Sequence, residues 1–229
     1  MINNLSIIVP AYNEEKRIKK FLFDLNIYCT RNLKNYEVII VNDGSNDKTL
    51  DIIKKVKYKN FRYSSYTPNK GKANAVKVGV TIAKGSHLLF IDADGATAPK
   101  EISNMLPRLE KHDVVVGSRN LKASKAKKNF SRRILSLGFN NYISFLFRMS
   151  FSDYLCGFKG FKTPIAKKLF YSLKSKRWIF DVELFYKIKK YKLSIAEIPI
   201  KWIHQDDSKM KTTDIIKIFF QILMLRLNI

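Results

Sequence analysis

The sequence predicts an α/β protein with a mostly parallel sheet flanked by helices. In the first half, short apolar, β-branched runs alternate with longer segments of helical periodicity. Most of the short runs are nearly continuously apolar, which is typical of parallel strands buried on both faces. The predicted strands are Ser6–Val9, Glu37–Val41, Arg62–Tyr66, Leu88–Ile91 and Val114–Gly117. The predicted helices between them are Glu14–Tyr28, Asp47–Lys57, Lys72–Lys84 and Pro99–Lys111.

Turn-forming residues follow the first two predicted strands. Pro10 ends the first run, and Gly44 permits a tight turn after the second. Ser45 or Asp47 can cap the helix that comes next. Asp43 lies directly after its strand and is less easily explained as a cap. Its carboxylate could accept an N–H of a nucleobase.

The second half begins with a strongly basic segment. Residues Arg119–Arg133 contain seven basic side chains and no acidic one, and we expect a loop that leads into a helix. Two apolar, aromatic segments follow, Ile134–Phe151 and Ile215–Leu225, and polar residues interrupt both. Either segment could lie in a membrane interface or pack onto the sheet as a core helix. We expect one domain over residues 1–211 and an amphipathic C-terminal helix over residues 212–229.

The net charge of the chain points to an acidic partner. The sequence has 43 Lys and Arg against 19 Asp and Glu, a formal net charge of +24. Nucleic acid, anionic lipid headgroups and a phosphorylated substrate are the candidates. A compositional bias toward Lys, Asn and Ile accounts for part of the excess. The sequence has no zinc-finger, RNA-recognition or helix-turn-helix pattern, which argues against a nucleic-acid partner.

The cysteines and the N-terminal region predict a location in or facing the cytoplasm. Cys29 and Cys156 are the only cysteines, so no disulfide framework is expected and a reducing compartment is the default. The N-terminal residues lack the pattern of a signal peptide, and no apolar run has the length of a spanning helix. We expect the protein in the cytoplasm or on the cytoplasmic face of a membrane.

The strongest chemical signal is the pair Asp92 and Asp94 after the run Leu88–Ile91. Two carboxylates at positions i and i+2 beyond a buried strand project to the same side and repel each other. Mg²⁺ and Mn²⁺ prefer carboxylate oxygens and commonly share their coordination shell with substrate phosphates. The pair therefore predicts a metal–diphosphate site, although an ordinary polar loop can also hold two aspartates.

Three motifs that follow the first, second and fourth predicted strands carry a family resemblance. Pro10-Ala-Tyr-Asn-Glu14, Asn42-Asp-Gly-Ser45 and Asp92-Ala-Asp94 occur in an order that resembles the inverting glycosyltransferases of family 2, which have the Rossmann-like GT-A fold. Further segments match the branch that makes dolichyl- or polyprenyl-phosphate sugars, above all its glucose-transferring members. These segments are Asn69–Ala75, Gly117–Arg119, Cys156–Lys159, Arg177–Glu183, Glu197–Trp202 and Ser208-Lys209.

The resemblance implies roles for the matching residues. Metal binding, by Mg²⁺ or Mn²⁺, falls to Asp92 and Asp94. Catalytic roles fall to Asp94, Arg119, Arg132 and Asp181, with Arg132 a candidate contact for a lipid phosphate and Asp181 a partner of a sugar hydroxyl. The nucleotide-sugar contacts it implies are Pro10, Tyr12, Glu14, Val41, Asp43, Asp92, Ala93 and Lys209.

Several positions leave alternatives open. Asn42 replaces an aspartate usual in the family, and Ala96 stands where mannose-transferring relatives often have a glutamine. Water or Thr97 would then complete the metal shell. Asp181 and Glu183 could instead cap or occupy the first turn of a helix over Val182–Tyr191.

The activity that the resemblance implies is transfer of a hexose, in particular glucose from UDP-glucose, onto a polyprenyl or dolichyl phosphate at an anionic membrane surface. That surface would be the plasma membrane of a prokaryote or the endoplasmic reticulum of a eukaryote, on the cytoplasmic face. The alternatives are a polyprenyl-phosphate mannose synthase that uses GDP-mannose and a transferase with a soluble sugar acceptor. A basic nucleic-acid-binding protein is the alternative from another class.

Overall fold

A seven-stranded sheet forms the centre of the molecule. The computed structural model describes residues 2, 4–127, 130–175, 179–203 and 212–227, with the side chains of 127–137 and 212–217 left undescribed. The strand order is β3-β2-β1-β4-β7-β5-β8. Only β7 runs antiparallel to its neighbours β4 and β5 among these strands. The strands are β1 Leu5–Ala11, β2 Tyr36–Asp43, β3 Phe61–Tyr66, β4 His87–Ile91, β5 Val114–Ser118, β7 Phe158–Lys162 and β8 Ile195–Pro199.

The predicted α/β class with a mostly parallel sheet is confirmed, and each of the five predicted strands is present. The antiparallel strand β7 was not predicted, because it lies beyond the alternating half of the sequence. A second sheet was also not predicted. It consists of β6 Lys125–Lys127 and β9 Lys201–Ile203, which pair in parallel. Part of the basic segment Arg119–Arg133 is therefore strand rather than loop.

Helices cover both faces of the large sheet. A 3-10 turn at Pro99–Glu101 precedes the fourth of them. They are α1 Ile18–Asn32, α2 Thr49–Lys54, α3 Lys72–Ile82, α4 Ile102–Leu109, α5 Phe130–Phe147, α6 Thr163–Ser172, α7 Phe180–Lys190 and α8 Thr212–Leu227.

Helix α1 begins four residues later than predicted, because the residues before it belong to the loop that follows β1. Residues 15–17 form a turn before the helix, and Asn13, just before the predicted start, has a left-handed backbone (φ 52°). Its N–H donates to Ser45 Oγ at 3.0 Å, and its Oδ1 accepts the Asn46 N–H at 2.9 Å. Ser45, predicted as a helix cap, therefore joins two loops instead.

Two apolar layers enclose the sheet, one on each face. Ile7 and Ile8, adjacent in β1, are both fully buried and belong to different layers, as the alternation of side chains along a strand requires. Leu89 and Phe90 divide in the same way in β4. The central strands are thus held on both faces, and their carboxyl ends form a rigid edge.

Helix α8 packs on α5 with one face. The Phe219 ring lies 4.7 Å from the Tyr142 ring and 5.7 Å from the Phe139 ring. Ile218 and Ile222 are buried on the same side. Core packing, one of the two alternatives for the C-terminal segment, therefore describes one face of the helix. Within the described ranges, the helices are too short or too polar to cross a membrane.

The close packing of α3 on β1 generates a stability prediction. A Cβ on Gly79 would lie 2.4 Å from Ile8 Cγ2, so Gly79→Ala should destabilise the fold by about 1–3 kcal/mol despite the better helix propensity of Ala. Gly138 in α5 has no atom within 4 Å of such a Cβ. Gly138→Ala should therefore stabilise by about 0.5–1 kcal/mol. Urea unfolding of both variants checks this; a Gly79→Ala protein as stable as wild type would contradict it.

Candidate functional site

The loops after β1 and β2 are fastened to each other by hydrogen bonds. Thr49 Oγ1 accepts the Glu14 N–H at 2.7 Å, and Asp47 Oδ2 accepts the Glu15 N–H at 3.2 Å. Asp47 Oδ1 also accepts the Thr49 N–H at 2.9 Å at the start of α2, but the N-cap residue is Lys48, so the predicted capping role of Asp47 is wrong. These bonds fix the first two motifs relative to each other at the strand ends.

Asp43 is almost fully buried and organises the loop before α3. Its Oδ1 accepts the Lys70 N–H at 2.8 Å, and its Oδ2 accepts from Asn69 Nδ2 at 2.8 Å. Gly44 has φ 66°, and a Cβ there would lie 2.7 Å from the Asn69 backbone nitrogen. The Asn-Asp-Gly-Ser motif therefore supports the Asn69–Ala75 segment structurally. A contact between Asp43 and a nucleobase stays a prediction.

The other predicted nucleotide contacts line the same edge. Pro10 and Val41 are buried near the carboxyl ends of adjacent strands, in paired positions of β1 and β2. Tyr12, directly after β1, is half-buried. Glu14 is nearly buried and accepts from Arg17 Nε at 2.8 Å. Ala93 is buried between the two aspartates.

Asn42, the departure from the family pattern, serves the sheet. Its Nδ2 donates to Ser65 Oγ on β3 at 3.0 Å, and the side chain is buried. This contact ties β2 to β3 one residue before Asp43. Because residue 42 faces β3, having Asn there instead of the family's aspartate removes no carboxylate from the cluster around Asp92.

Asp92 and Asp94 follow β4 and lie beside Lys72, the first residue of α3. The Lys72 Nζ is 2.5 Å from Asp92 Oδ1. Burial lowers the pKa of Lys72, but the charges of Asp92, Asp181 and Asp94 outweigh it and the pKa is raised. Burial and then the Asp92 charge raise the pKa of Asp94 to about 6. The two aspartates thus form a partly desolvated acidic site, and the Lys72 ammonium is the cation beside it.

Asp181 forms a buried ion pair in the first turn of α7. Lys159 Nζ lies 2.6 Å from Asp181 Oδ1, and both residues are at most 2% exposed. Burial raises the pKa of Asp181, against the lowering effects of Lys159 and Lys72. The helix begins at Phe180 and its N-cap residue is Ile179, so the alternative that Asp181 or Glu183 is the cap is wrong, whereas their first-turn position is confirmed.

Arg119 is held at the end of β5 by a bidentate ion pair. Its Nε and Nη2 donate to Asp153 at 2.6 and 2.8 Å, and the guanidinium lies 5.4 Å from the Trp202 ring centroid. Burial lowers the pKa of Arg119, but Asp153 and more distant Asp92 raise it overall. Asp153 and Trp202 thus fix the position of Arg119, whose contact with a phosphate stays a prediction.

The structure brings four of the five predicted acidic residues into one electrostatic cluster, whereas Asp43 bonds to the loop before α3. Lys72 interacts with Asp92, Asp94 and Asp181 together, and Glu14 adds to the charge around Asp94. Two predicted residues cannot be placed in this cluster. Lys209 lies outside the described residues, and Arg132 lies in α5 without a described side chain.

The comparisons with known proteins show which family the chain belongs to. The model of glycosyl transferase family 2 matches residues 6–170. A dolichyl-phosphate beta-glucosyltransferase of Dictyostelium discoideum is 37% identical, over 96% of this chain and 75% of the relative. The human protein of the same name is 35% identical, over 90% of this chain and 69% of its own length.

The chain belongs to glycosyl transferase family 2. Among solved structures, a glucosyl-3-phosphoglycerate synthase from Mycobacterium tuberculosis, in complex with Mn²⁺, UDP-glucose and phosphoglyceric acid, superposes with a TM-score of 0.74. The match covers 99% of this chain and 79% of that chain at 17% identity. This likeness supports the GT-A fold.

A divalent ion fits the acidic pair of this glycosyltransferase. The negative charge of Asp92 repels that of Asp94, and a cation between the two carboxylates would relieve that repulsion. In the described parts of the chain, no third His, Cys, Asp or Glu completes a cluster of three ligands. Two carboxylates suffice for Mg²⁺ or Mn²⁺ when substrate phosphates supply other ligands.

Several residues of the cluster have no role in the sequence-based prediction. Lys72 and Lys159 lie within matched motifs, and Lys159 is fully buried in β7, where its charge requires a partner. Trp202 also lies within a matched motif, whereas Asp153 gave no local signal, because its position depends on how the segment before β7 packs. Only the tertiary structure reveals these contacts.

The raised pKa of Asp94 generates a pH prediction. Its folded-state pKa of about 6 exceeds the ordinary value near 4, so its ionisation destabilises the fold above pH 6 and has no effect well below pH 4. Asp94→Asn keeps an acceptor for the Ala96 N–H. With EDTA present at pH 8, the free energy of unfolding of Asp94→Asn should be roughly 1–3 kcal/mol higher than that of wild type.

Urea unfolding at pH 8 and pH 4.5 measures this difference. The gap between Asp94→Asn and wild type should shrink strongly at the lower pH, where the wild-type carboxyl is mostly protonated. An equal gap at both values would contradict the raised pKa.

Proposed function

We propose that this glycosyltransferase transfers glucose from UDP-glucose to dolichyl or polyprenyl phosphate, with a divalent metal ion, on the cytoplasmic face of a membrane. One observation carries the proposal: the acidic pair Asp92–Asp94, whose charge is only partly offset by Lys72, stands at the carboxyl end of the central strand β4. Ligands of α/β sheets bind beyond this edge.

The donor site is proposed around the first two strand ends and β4. Pro10, Tyr12, Glu14, Val41 and Asp43 would hold the base and ribose. The structural neighbour with Mn²⁺ and UDP-glucose supports a uridine nucleotide and a divalent ion. Asp92 and Asp94 would hold Mg²⁺ or Mn²⁺, which when bound supplies Lewis-acid stabilisation of the leaving diphosphate. Ala93 and Lys209 would also contact the nucleotide-sugar, and Thr97 could complete the metal shell.

The acceptor is proposed from the relatives that are named dolichyl-phosphate beta-glucosyltransferases. A phosphate oxygen would attack the anomeric carbon as the bond to the diphosphate oxygen breaks, and UDP would leave. The second pKa of a phosphate monoester is near 6, so the nucleophile is already anionic and needs no strong base. Asp181, fixed by Lys159, would then accept a hydrogen bond from a sugar hydroxyl.

Two anions must approach each other in this reaction. At about 5 Å their repulsion is roughly 3 kcal/mol per pair of unit charges at an effective dielectric near 20. Lys72 lies beside Asp92 and would offset part of this repulsion. Arg119 and Arg132 are proposed to contact the phosphates, with Arg132 on the lipid phosphate. These side chains would also stabilise the charge that develops on the leaving group.

An exposed apolar stripe on α8 supports membrane association. Phe220 and Met224 are 67% and 57% exposed, and with Leu223 and Leu227 they follow the i, i+3, i+4, i+7 spacing of one helix face. Phe145 on the adjacent helix α5 is exposed as well. The opposite face of α8 packs on α5, so the helix can lie in a membrane interface while it remains attached. The net charge of +24 favours anionic lipid.

Asp94→Ala should abolish glucose transfer from UDP-glucose to dolichyl phosphate, because the pair would lose one of its two carboxylates. Transfer of radiolabelled glucose into the organic phase measures it, with circular dichroism to verify the fold. Asp51→Ala, which removes an exposed carboxylate on α2, is the matched control and should keep full activity. Normal transfer by Asp94→Ala in EDTA would overturn the metal role, and faster transfer from GDP-mannose would favour a mannose synthase.

Replacing both Phe220 and Met224 by Ser should reduce flotation with vesicles that contain phosphatidylserine, because the exposed stripe would lose its two largest side chains. Phe23→Ser is the matched control, since Phe23 is 52% exposed on the distant helix α1. That variant should float like wild type. Equal flotation of all three proteins would contradict a membrane role for α8.

A further inference from the structure

Gly157 touches the carboxylate of Asp92 directly. A Cβ built on Gly157 would lie 1.8 Å from Asp92 Oδ2 and 2.3 Å from Asp92 Cγ. The three atoms nearest to such a Cβ all belong to this carboxylate. The φ of Gly157 lies outside the left-handed range, so the backbone itself does not require glycine there. The need for glycine comes from Asp92.

The Asp92 carboxylate is therefore in contact on both oxygens, although its side chain is partly exposed. Oδ1 lies 2.5 Å from Lys72 Nζ, and Oδ2 lies against the bare Cα of Gly157. The main chains are joined as well, because the Asp92 N–H donates to Gly157 O at 3.2 Å. Rotation of the carboxylate in one direction is blocked by the backbone of residue 157.

The segment that contains Gly157 is anchored by the buried Lys159. Lys159 Nζ donates to Cys156 O at 2.7 Å, to Tyr154 O at 3.2 Å and to Asp181 Oδ1 at 2.6 Å. These three bonds use all three N–H groups of an ammonium. One side chain thus fixes the main chain beside Asp92 and the carboxylate of Asp181.

We propose that Gly157, on a segment anchored by Lys159, is a positioning residue that sets the Asp92 carboxylate in its metal-binding orientation. This inference rests on the proposed function, in which Asp92 and Asp94 hold Mg²⁺ or Mn²⁺. Metal sites tolerate only a few tenths of an ångström in the ligand distances. A methyl group at residue 157 would move Oδ2 by more than an ångström, because real Cβ atoms stay at least about 3 Å from other heavy atoms.

The same geometry predicts that the fold survives this change. The obstructing atoms are the end of a flexible side chain that is partly exposed, so Asp92 can rotate away instead of forcing the backbone apart. Gly157→Ala should therefore lose metal affinity while it keeps its stability. A residue with a merely structural role would show the opposite result.

The test is a calorimetric titration of Mn²⁺ into wild type, Gly157→Ala and Gly138→Ala, each with saturating UDP. Gly138→Ala is the matched control, because nothing lies within 4 Å of the added Cβ. We expect the dissociation constant of Mn²⁺ to rise about 10- to 100-fold in Gly157→Ala, as for other residues that orient metal ligands, and to stay unchanged in the control. Thermal unfolding of Gly157→Ala should match wild type.

Each outcome decides between the inference and the proposed function. If wild type binds no Mn²⁺ with UDP, the proposed metal site fails and the inference fails with it. If wild type and Gly157→Ala bind Mn²⁺ equally, only the inference fails. If Gly157→Ala does not fold, Gly157→Ala is repeated in the Asp92→Ala background, where the obstructing carboxylate is absent. Equal stability of the double variant and Asp92→Ala supports the inference, and a further loss overturns it.

Discussion

Electrostatic repulsion between carboxylates is the constraint on which the site depends. Asp92 and Asp94 stand at the end of the same buried strand, Asp181 lies within their electrostatic reach, and burial makes the ionised forms costly. Lys72 and Lys159 supply one cation beside Asp92 and one beside Asp181. Three carboxylates against two ammonium groups leave the cluster acidic. A divalent cation would reverse that sign and make the edge attractive to a diphosphate.

The sheet topology explains how these groups meet. Strands β1, β2 and β4 run in parallel, so the motifs that follow them share one edge. The antiparallel strand β7 enters the sheet beside β4 from that same edge and brings Gly157 and Lys159 with it. Phe158 pairs with Ile91 in the register of these strands, which places Gly157 next to Asp92. A parallel strand in that place would present its amino end at the opposite edge.

The sequence predicted those parts of the fold and site that depend on local pattern. Short runs, most of them apolar, predicted the first five strands, and the motifs after them predicted the shared edge where Asp43, Asp92 and Asp94 lie. The start of α1 was misplaced because Glu14 and Glu15 bond to residues 35 and 32 positions away, in the region after β2. The partners of Arg119 and Asp181 were not predictable for the same reason. Asp153 is 34 residues from Arg119, and Lys159 is 22 residues from Asp181.

The central claim is that the acidic pair binds a divalent ion together with the diphosphate of the donor. Calorimetric titration of UDP into the wild-type protein, in Mn²⁺ and in EDTA, tests it most directly. The account predicts that UDP binds at least tenfold more tightly with Mn²⁺, because the cluster repels a diphosphate without it. Equal UDP affinity in both buffers, or no UDP binding at all, would contradict the account.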